Sequence, residues 1–383
     1  MKGQSMAGDE ASFGDAKPEQ RTVVIGGGQA GLATGYHLMK QGLPFVILDA
    51  HLRVGDAWRN RWDSLQVFTP ARYSSLPGLP FPSEPFHYPT KDELADYFED
   101  YAATFELPIR LGVRAEGLTR TGNGFEIATS QGPLLAGNVV VATGPYHRPW
   151  IPDFATDLDD SILQLHSKEY RNPGQLQEGP VLVVGAANSG AEIAREVARD
   201  HETWLSGRHP GNEPTRAGSR PDRLFAPIMW FAATRVIKVD NPIGRKVRDQ
   251  FLDPPRGIPL GSVKPKDLDA AGIERVPRTK EVRDGYPVLD DGRVLDVSNV
   301  IWCTGFAPDF DWIDIPLEMR NGLPVQNRGV VESCPGLYFM GLLFQYSLSS
   351  ALIGGVGRDA GYIVHHIVST TDSRVDDLAG SAG

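Results

Sequence analysis

Short apolar runs that end at glycine, each followed by a helix-period stretch, set the pattern of this chain. Thr22-Val23-Val24-Ile25 leads into Gly26-Gly27-Gly28-Gln29-Ala30-Gly31. The run has no alternating polar face, which predicts a strand buried on both sides. A helix is expected over 29–40, ended by Gly42, with Pro44 opening a second strand at Phe45-Val46-Ile47-Leu48. The same form returns at Val181-Leu182-Val183-Val184-Gly185-Ala186-Ala187-Asn188-Ser189-Gly190. Two further strands end in Thr-Gly, at Val139-Val140-Val141-Ala142-Thr143-Gly144 and Val300-Ile301-Trp302-Cys303-Thr304-Gly305. Thr90-Lys91-Asp92-Glu93 reads as a capping box, with its helix running to about Phe105. The Pro-rich, aromatic stretch 70–89 predicts irregular backbone. Near the end, Gly336-Leu337-Tyr338-Phe339-Met340-Gly341 reads as a strand, and Ser349 and Ser350 as caps of a helix through Ala351, Leu352, Ile353 and Val356.

Composition narrows the class without naming a function. With 41% hydrophobic and 22% charged residues the chain reads as soluble and globular, and its 383 residues allow two cores. A net charge of -10 disfavours wholesale binding to nucleic acid or an anionic membrane. The two cysteines, Cys303 and Cys334, form no C-x-x-C and no metal-ligand spacing. That fits a reducing compartment and argues against a redox disulfide. The first residues lack the apolar stretch of a signal peptide, so a cytoplasmic location is expected. The longest apolar run, 224–237, contains Pro227 and Arg235 and is too short to span a bilayer, so no membrane insertion is expected. Segment 208–266 carries about twelve Lys and Arg against about five Asp and Glu. It is either a solvated surface insertion or a positive rim that draws in a phosphate-rich ligand.

The chemistry lies in the two glycine turns. In Gly26-x-Gly28-x-x-Gly31 the first glycine permits a tight turn, the second lets backbone approach a pyrophosphate, and the third lets helix and strand pack. The following helix start favours the phosphates. Asp49 ends the next strand about 20 residues on, where a carboxylate accepts bonds from a ribose diol. Gly28, Gln29, Ala30 and Ala50 join that site. The second turn keeps Gly185 and Gly190 but has Ala187 at the middle position, whose methyl would crowd a pyrophosphate. Its second strand ends in Ser206-Gly207-Arg208-His209, with no acid to repel a 2′-phosphate. Arg208 offers a planar fork to it, with Ser206 and His209 as added donors. The alternative is an arginine on a surface turn. The site thus reads as preferring NADP over NAD. No Ser/His/Asp triad or metal cluster stands out. His87 and His166 are the histidines considered for a cleft, with structural roles the simpler reading. That absence agrees with chemistry carried by cofactors. If the helix after Ser349 and Ser350 starts at a flavin ring, its positive end would stabilise reduced flavin, with Gly341 and Leu352 beside the ring.

The predicted fold class is α/β, with two Rossmann-like dinucleotide-binding domains, the second, NADP-preferring one inserted in the first. The expected boundaries are a disordered tail over 1–20, a first dinucleotide domain over 21–150 plus 296–370, an NADP domain with its basic insertion over 151–295, and a second disordered tail over 371–383.

Together these motifs resemble the class B flavoprotein monooxygenases, and within them the small bacterial flavin-containing and the plant YUCCA-type enzymes. The resemblance spans nearly the whole chain between its tails. It is carried by both glycine turns, Asp49, the stretch Gly55-Asp56-Ala57-Trp58-Arg59-Asn60-Arg61-Trp62-Asp63-Ser64-Leu65, Tyr88-Pro89-Thr90-Lys91, the two Thr-Gly strand ends, Phe306, and Gly355-Val356-Gly357-Arg358-Asp359-Ala360. It implies FAD at the first site and NADPH at the second. It places Asp49 on the FAD ribose, Trp58 and Arg59 along the cofactor, and the backbone of Val113, on a short strand after Pro108, at the adenine. It places Asn188 and Ser189 at the NADP pyrophosphate and nicotinamide side. Thr143, Gly144, Thr304 and Gly305 would be the crossings between domains. Trp62, Gln66 and Phe68 are the residues expected beside the flavin ring. The implied reaction reduces flavin with NADPH, adds O2 to form a C4a-hydroperoxide, and passes one oxygen atom to a small sulfur, nitrogen or carbonyl substrate. A homodimer is the usual expectation for the family. There are two departures. The family motif Phe-x-Gly-x-x-x-His-x-x-x-Tyr keeps only His166 and Tyr170, with Asp160 and Ile162 at the first two positions. Phe68 stands where many members carry Asn, which implies peroxide release beside oxygen transfer. An NADPH-dependent flavin oxidase or reductase, and a nucleotide-sensing regulatory flavoprotein, are the other readings.

Overall fold

The computed structural model describes residues 16–122, 124–252 and 259–380, with backbone only over 371–380. Of the expected tails at 1–20 and 371–383, residues 1–15 and 381–383 lie outside the described residues, and Pro18–Gln20 form a turn of 3-10 helix.

The first unit begins with β1 (Thr22–Ile25), α1 (Gln29–Lys40) and β2 (Phe45–Asp49). It continues through α2 (Lys91–Thr104), β3 (Ile109–Leu111), a meander of β4 (Ala115–Thr121), β5 (Gly124–Thr129) and β6 (Leu134–Ala136), and β7 (Asn138–Val141). The chain then crosses to a second unit of β8 (Leu163–His166), β9 (Val181–Val184), α3 (Asn188–Val197) and β10 (Thr203–Ser206). Next come α4 (Arg220–Phe231), α5 (Pro242–Leu252), β11 (Glu274–Val276), the hairpin β12 (Thr279–Arg283) with β13 (Tyr286–Leu289), and β14 (Asn299–Trp302). The first unit closes with β15 (Leu337–Phe339) and α6 (Ile353–Gly380).

Both main sheets are parallel and five-stranded. The first has the order β15-β7-β1-β2-β3 and the second β11-β10-β9-β14-β8. In each, the strand before the glycine turn is central. This explains the uninterrupted apolar runs, because alternate residues feed different cores. Val24, Ile47 and Val140 pack under α1, α2 and α6, while Val23, Val46 and Val139 pack against the meander. In the second unit Val181, Val183 and Ile301 meet α3, and Leu182, Val184 and Trp302 meet the opposite layer. Each such side chain contributes about 1.5–3 kcal/mol through burial.

Three expectations change. β14 is a central strand of the second sheet, so that unit extends past the expected edge at 295. A Thr-Gly end resembling that of β7 gave no sign of which sheet it joins. The closing helix starts at Ile353, so Ser349 and Ser350 do not cap it. Their hydroxyls fold the loop before it: Ser350 accepts from the Tyr346 and Ser347 amides, and Ser349 bonds Ser347. The same helix runs on through 371–380, part of the expected second tail. The capping box stands as expected, with Thr90 Oγ1 accepting from the Glu93 amide and the Glu93 carboxylate accepting from the Thr90 amide.

The two crossings lie side by side. Arg148–Pro149 pairs antiparallel with Phe306–Ala307, directly after the two Thr-Gly ends.

Candidate functional site

The two glycine turns have the same internal geometry. Gly26 and Gly185 adopt φ of 112° and 113°, which suit glycine. A Cβ at Gly26 would lie 2.7 Å from the Ala142 carbonyl oxygen, and one at Gly185 would lie 2.2 Å from that of Cys303. Each turn is therefore clamped against the strand that ends in Thr-Gly. The third glycine, Gly31 or Gly190, packs helix on turn: an added Cβ would meet the carbonyl oxygen of Gly26 or Gly185 at 1.8 or 1.7 Å. Gly28 is different. It has ordinary extended backbone, and a Cβ there meets nothing within 4 Å. The space over the start of α1 is open, as a pyrophosphate cradle requires.

Both helix starts open on one cavity of about 2290 Å³. That exceeds the range of about 300–1,000 Å³ for an ordinary ligand pocket and leaves room for two dinucleotides. Gly26, Gly28, Gln29, Ala30, Asp49, Ala50, Trp58 and Val113 line it from the first unit, and Asn188 and Ser189 from the second. Thr143, Gly144, Thr304 and Gly305 line it at the crossings, and Gly341 and Leu352 at the closing strand and helix. Val113 lies just beyond β3 rather than on it, and its amide donates to the Asp49 carbonyl.

Asp49 is held in place by its neighbours. Its carboxylate accepts from the Gly27 amide at 2.7 Å, the His51 amide at 2.8 Å and the His51 ring at 2.8 Å. Burial pushes its pKa upward, but these donors outweigh it and hold the group below its ordinary value. A carboxylate has about four lone-pair sites, so one remains for a diol hydrogen. The Asp49 bond in turn raises His51.

Trp62, Gln66 and Phe68 also line the cavity. Phe68 is 48% exposed, whereas Trp62 is buried and its Nε1–H has no partner among the described residues. That orphaned donor fits a ligand acceptor. The Arg61 guanidinium lies 5.5 Å from the Phe306 ring centroid and 6.0 Å from that of Trp62, and burial lowers its pKa.

Several expected contacts are not made. Arg59 faces away, bonded to the Val54 carbonyl, Asp96 and Glu99, because the capped helix α2 presents those acids to it. Ser206 is fully buried, and its hydroxyl donates to the Pro277 carbonyl, so it offers nothing to a 2′-phosphate. The His209 ring accepts from the Gly211 amide. Arg208 is exposed beyond β10 and outside the cavity lining, with no ion pair among the described residues. Gly31, Gly185 and Gly190 serve packing rather than the cavity wall. His87 pairs with Glu93, and buried His166 bonds the Gly305 carbonyl, so neither lines the cavity.

Other wall residues had no motif to mark them. α4 presents Phe225, Ala226, Met229 and Trp230 to the cavity, and Trp230 stacks on Tyr73 of the first unit at 4.8 Å. The phenol of Tyr88 donates to buried Asp222 at 2.5 Å. From sequence the apolar run 224–237 is only too short to span a bilayer, with no role assigned to its face. Glu192 lies one turn into α3, accepts from Ser262 at 2.6 Å, and is pushed by burial to about 7. Cys303 and Cys334 are buried and unpaired, and burial raises the Cys303 thiol, which therefore keeps its proton. Among the described residues there is no cluster able to hold a metal and no helix long and apolar enough to cross a membrane.

This geometry agrees with what the chain is similar to. Residues 23–228 match the pyridine nucleotide-disulphide oxidoreductase family. An uncharacterised CzcO-like oxidoreductase of Geobacillus kaustophilus is 43% identical over 352 residues, covering 91% of this chain and 98% of that protein. A probable indole-3-pyruvate monooxygenase of Arabidopsis thaliana, YUCCA3, is 29% identical over 79% of this chain and 77% of its own length. The solved flavin-containing monooxygenase of Stenotrophomonas maltophilia superposes with a TM-score of 0.72 at 29% identity, over 92% of this chain and 98% of that one. The chain belongs to the pyridine nucleotide-disulphide oxidoreductase family, on its class B flavin monooxygenase branch, whose cofactors are FAD and NADP(H).

Proposed function

We propose that the protein is an NADPH-dependent monooxygenase that transfers one oxygen atom of O2 to a small nucleophilic or carbonyl substrate. The observation that carries this reading is that both helix starts, at Gly28 and at Asn188, open on one cavity. Bound FAD would accept a hydride from NADPH and activate O2, and the protein's part is to bind, orient and exclude water.

The residues divide that work. Asp49 takes the ribose of FAD and the open space over Gly28 takes its pyrophosphate. Trp62 offers its free Nε1–H to the ring system. Asn188 and Ser189 face the second nucleotide, and Asn188 is tied to the inserted segment through the Gly261 amide and the Pro259 carbonyl. Arg208, exposed beyond β10 with no ion pair among the described residues, would reach the 2′-phosphate from outside the cavity lining, without help from Ser206. The apolar face of α4 closes the cavity against water. YUCCA3 is named for a 2-oxo acid, and a carbonyl substrate of that kind fits the same reading.

The test uses the purified yellow protein with NADPH in air and follows oxygen, peroxide and the oxidation of a thioether and of a 2-oxo acid. The reading requires an oxygenated product in proportion to NADPH consumed. Peroxide alone would overturn it in favour of an oxidase, the outcome that Phe68 in the place of Asn makes worth measuring.

A further inference from the structure

Arg328 sits on a tight turn, with φ of 51°, and lines the cavity. Its guanidinium carbon is 4.1 Å from the Tyr346 ring centroid and 3.8 Å from that of Tyr362. Two rings therefore hold the plane of the guanidinium, and they supply attraction without an acceptor.

Two other cations surround the Tyr346 ring, Arg358 at 4.5 Å and Lys238 at 5.5 Å. Arg358 is committed within the protein. It pairs with Asp359, donates to the Thr234 carbonyl and donates to the Ser347 hydroxyl. Arg328 has no ion pair and no hydrogen-bond acceptor among the described residues, and its Nε is buried without a partner. A half-buried cation with unused donors, crowded by two like charges, is electrostatically incomplete. The phosphates of the two dinucleotides already have cradles at the starts of α1 and α3, so the missing anion is a different one.

We propose that Arg328 anchors the carboxylate of an organic-acid substrate, the Tyr346–Tyr362 slot holding its guanidinium as a fixed two-pronged donor at the cavity wall. A planar fork pairs both its donors with a carboxylate, whereas the neutral ester or amide of the same skeleton offers one uncharged carbonyl acceptor and is held far more weakly. Lys238 and Arg358 add positive potential behind the ring without contacting the ligand. The assignment rests on the monooxygenase reading for its substrate, but it concerns binding, which is measured without turnover.

The experiment titrates the FAD-loaded protein with phenylacetate and with phenylacetamide, following the flavin absorbance. The wild type should bind the acid more tightly than the amide. Arg328→Met should weaken phenylacetate by about 10- to 100-fold. It should leave phenylacetamide, FAD content and NADP+ affinity unchanged. Arg328→Lys, which keeps the charge and loses the fork, should fall between. Equal binding of acid and amide by the wild type would overturn the proposal without any variant having to fold. Loss of FAD or NADP+ from Arg328→Met would overturn it too, assigning the arginine to a cofactor phosphate. Selective acid binding in a protein that makes only peroxide would leave this inference standing and end the oxygen-transfer reading.

Discussion

Gly28 and Gly31 belong to one motif, yet substitutions there should fail for unrelated reasons. A side chain at Gly28 enters empty space, so Gly28→Val should keep the melting temperature of the apoprotein while FAD affinity falls by more than tenfold. Gly31→Ala drives a methyl to 1.8 Å from the Gly26 carbonyl oxygen and should lower the melting temperature whether or not FAD is present. Equal melting losses for both variants would remove the cradle. Arg208→Ala should raise the KM for NADPH much more than for NADH, and an equal rise would remove the 2′-phosphate assignment. Glu192 carries a prediction in pH. Burial lifts its pKa from 4.5 to about 7, so the folded protein holds this proton more tightly than the unfolded chain. Its contribution is complete below the unfolded value and is lost as pH rises toward 7, a loss of about 3 kcal/mol in all. Glu192→Gln should therefore raise the melting temperature at pH 8 and leave it nearly unchanged below pH 4.5; parallel profiles would show that no buried proton is held. The glycines were legible because their requirement is steric and local. Glu192 was not, since only tertiary burial separates it from any other glutamate on a helix.

At the scale of elements, the apolar runs located β1, β2, β7 and β9 because strands covered on both faces need no polar alternation. The same reasoning stopped at the inserted segment. Its helix α4 turns Phe225 and Trp230 inward and leaves Leu224, Ile228 and Phe231 exposed, a two-sided apolar helix whose inner face cannot be told from its outer one by periodicity. What orients it is a contact between units. Asp222 accepts from the Tyr88 hydroxyl, the Gly218 amide at 3.0 Å and the Thr215 hydroxyl at 3.1 Å. Arg223 lies 5.9 Å from the Phe86 ring centroid, and Tyr73 stacks on Trp230. Asp222→Ala removes three hydrogen bonds to a buried charged acceptor, each contributing about 1.5–3 kcal/mol. The cost falls on the attachment of α4 rather than on the two sheets. Limited proteolysis should then cut faster between residues 208 and 266, with the melting temperature of the remainder little changed. Cleavage at the wild-type rate would mean that Asp222 does not hold the wall in place.

At the scale of the molecule, two nucleotide sites are useful only if the sheets are set at one angle. The chain passes between them at two places, each a Thr-Gly end, and the segments that follow pair with each other at Arg148–Pro149 and Phe306–Ala307. The sequence showed that these ends resemble one another. It did not show that β14 belongs to the second sheet, because sheet membership depends on partners more than 100 residues away. Gly144 and Gly305 adopt φ of 72° and 91°, and a Cβ at either meets nothing within 4 Å. Alanine there would be resisted by backbone conformation alone, at about 1–3 kcal/mol per site. The Gly305 carbonyl is also held by the Trp150 amide and by His166, both at 3.0 Å, so a shift at this turn would pass to the neighbouring crossing. Hydride transfer requires the reacting atoms within about 3–3.5 Å, whereas binding either nucleotide depends on its own unit. The double variant Gly144→Ala, Gly305→Ala should therefore retain FAD and bind NADP+ as the wild type does. Its flavin should be reduced by NADPH at least about tenfold more slowly in stopped-flow, the effect of a misplacement well under 1 Å. Reduction at the wild-type rate would show that the crossings do not set the angle; loss of FAD or of NADP+ affinity would show that each site depends on the other unit for its own shape.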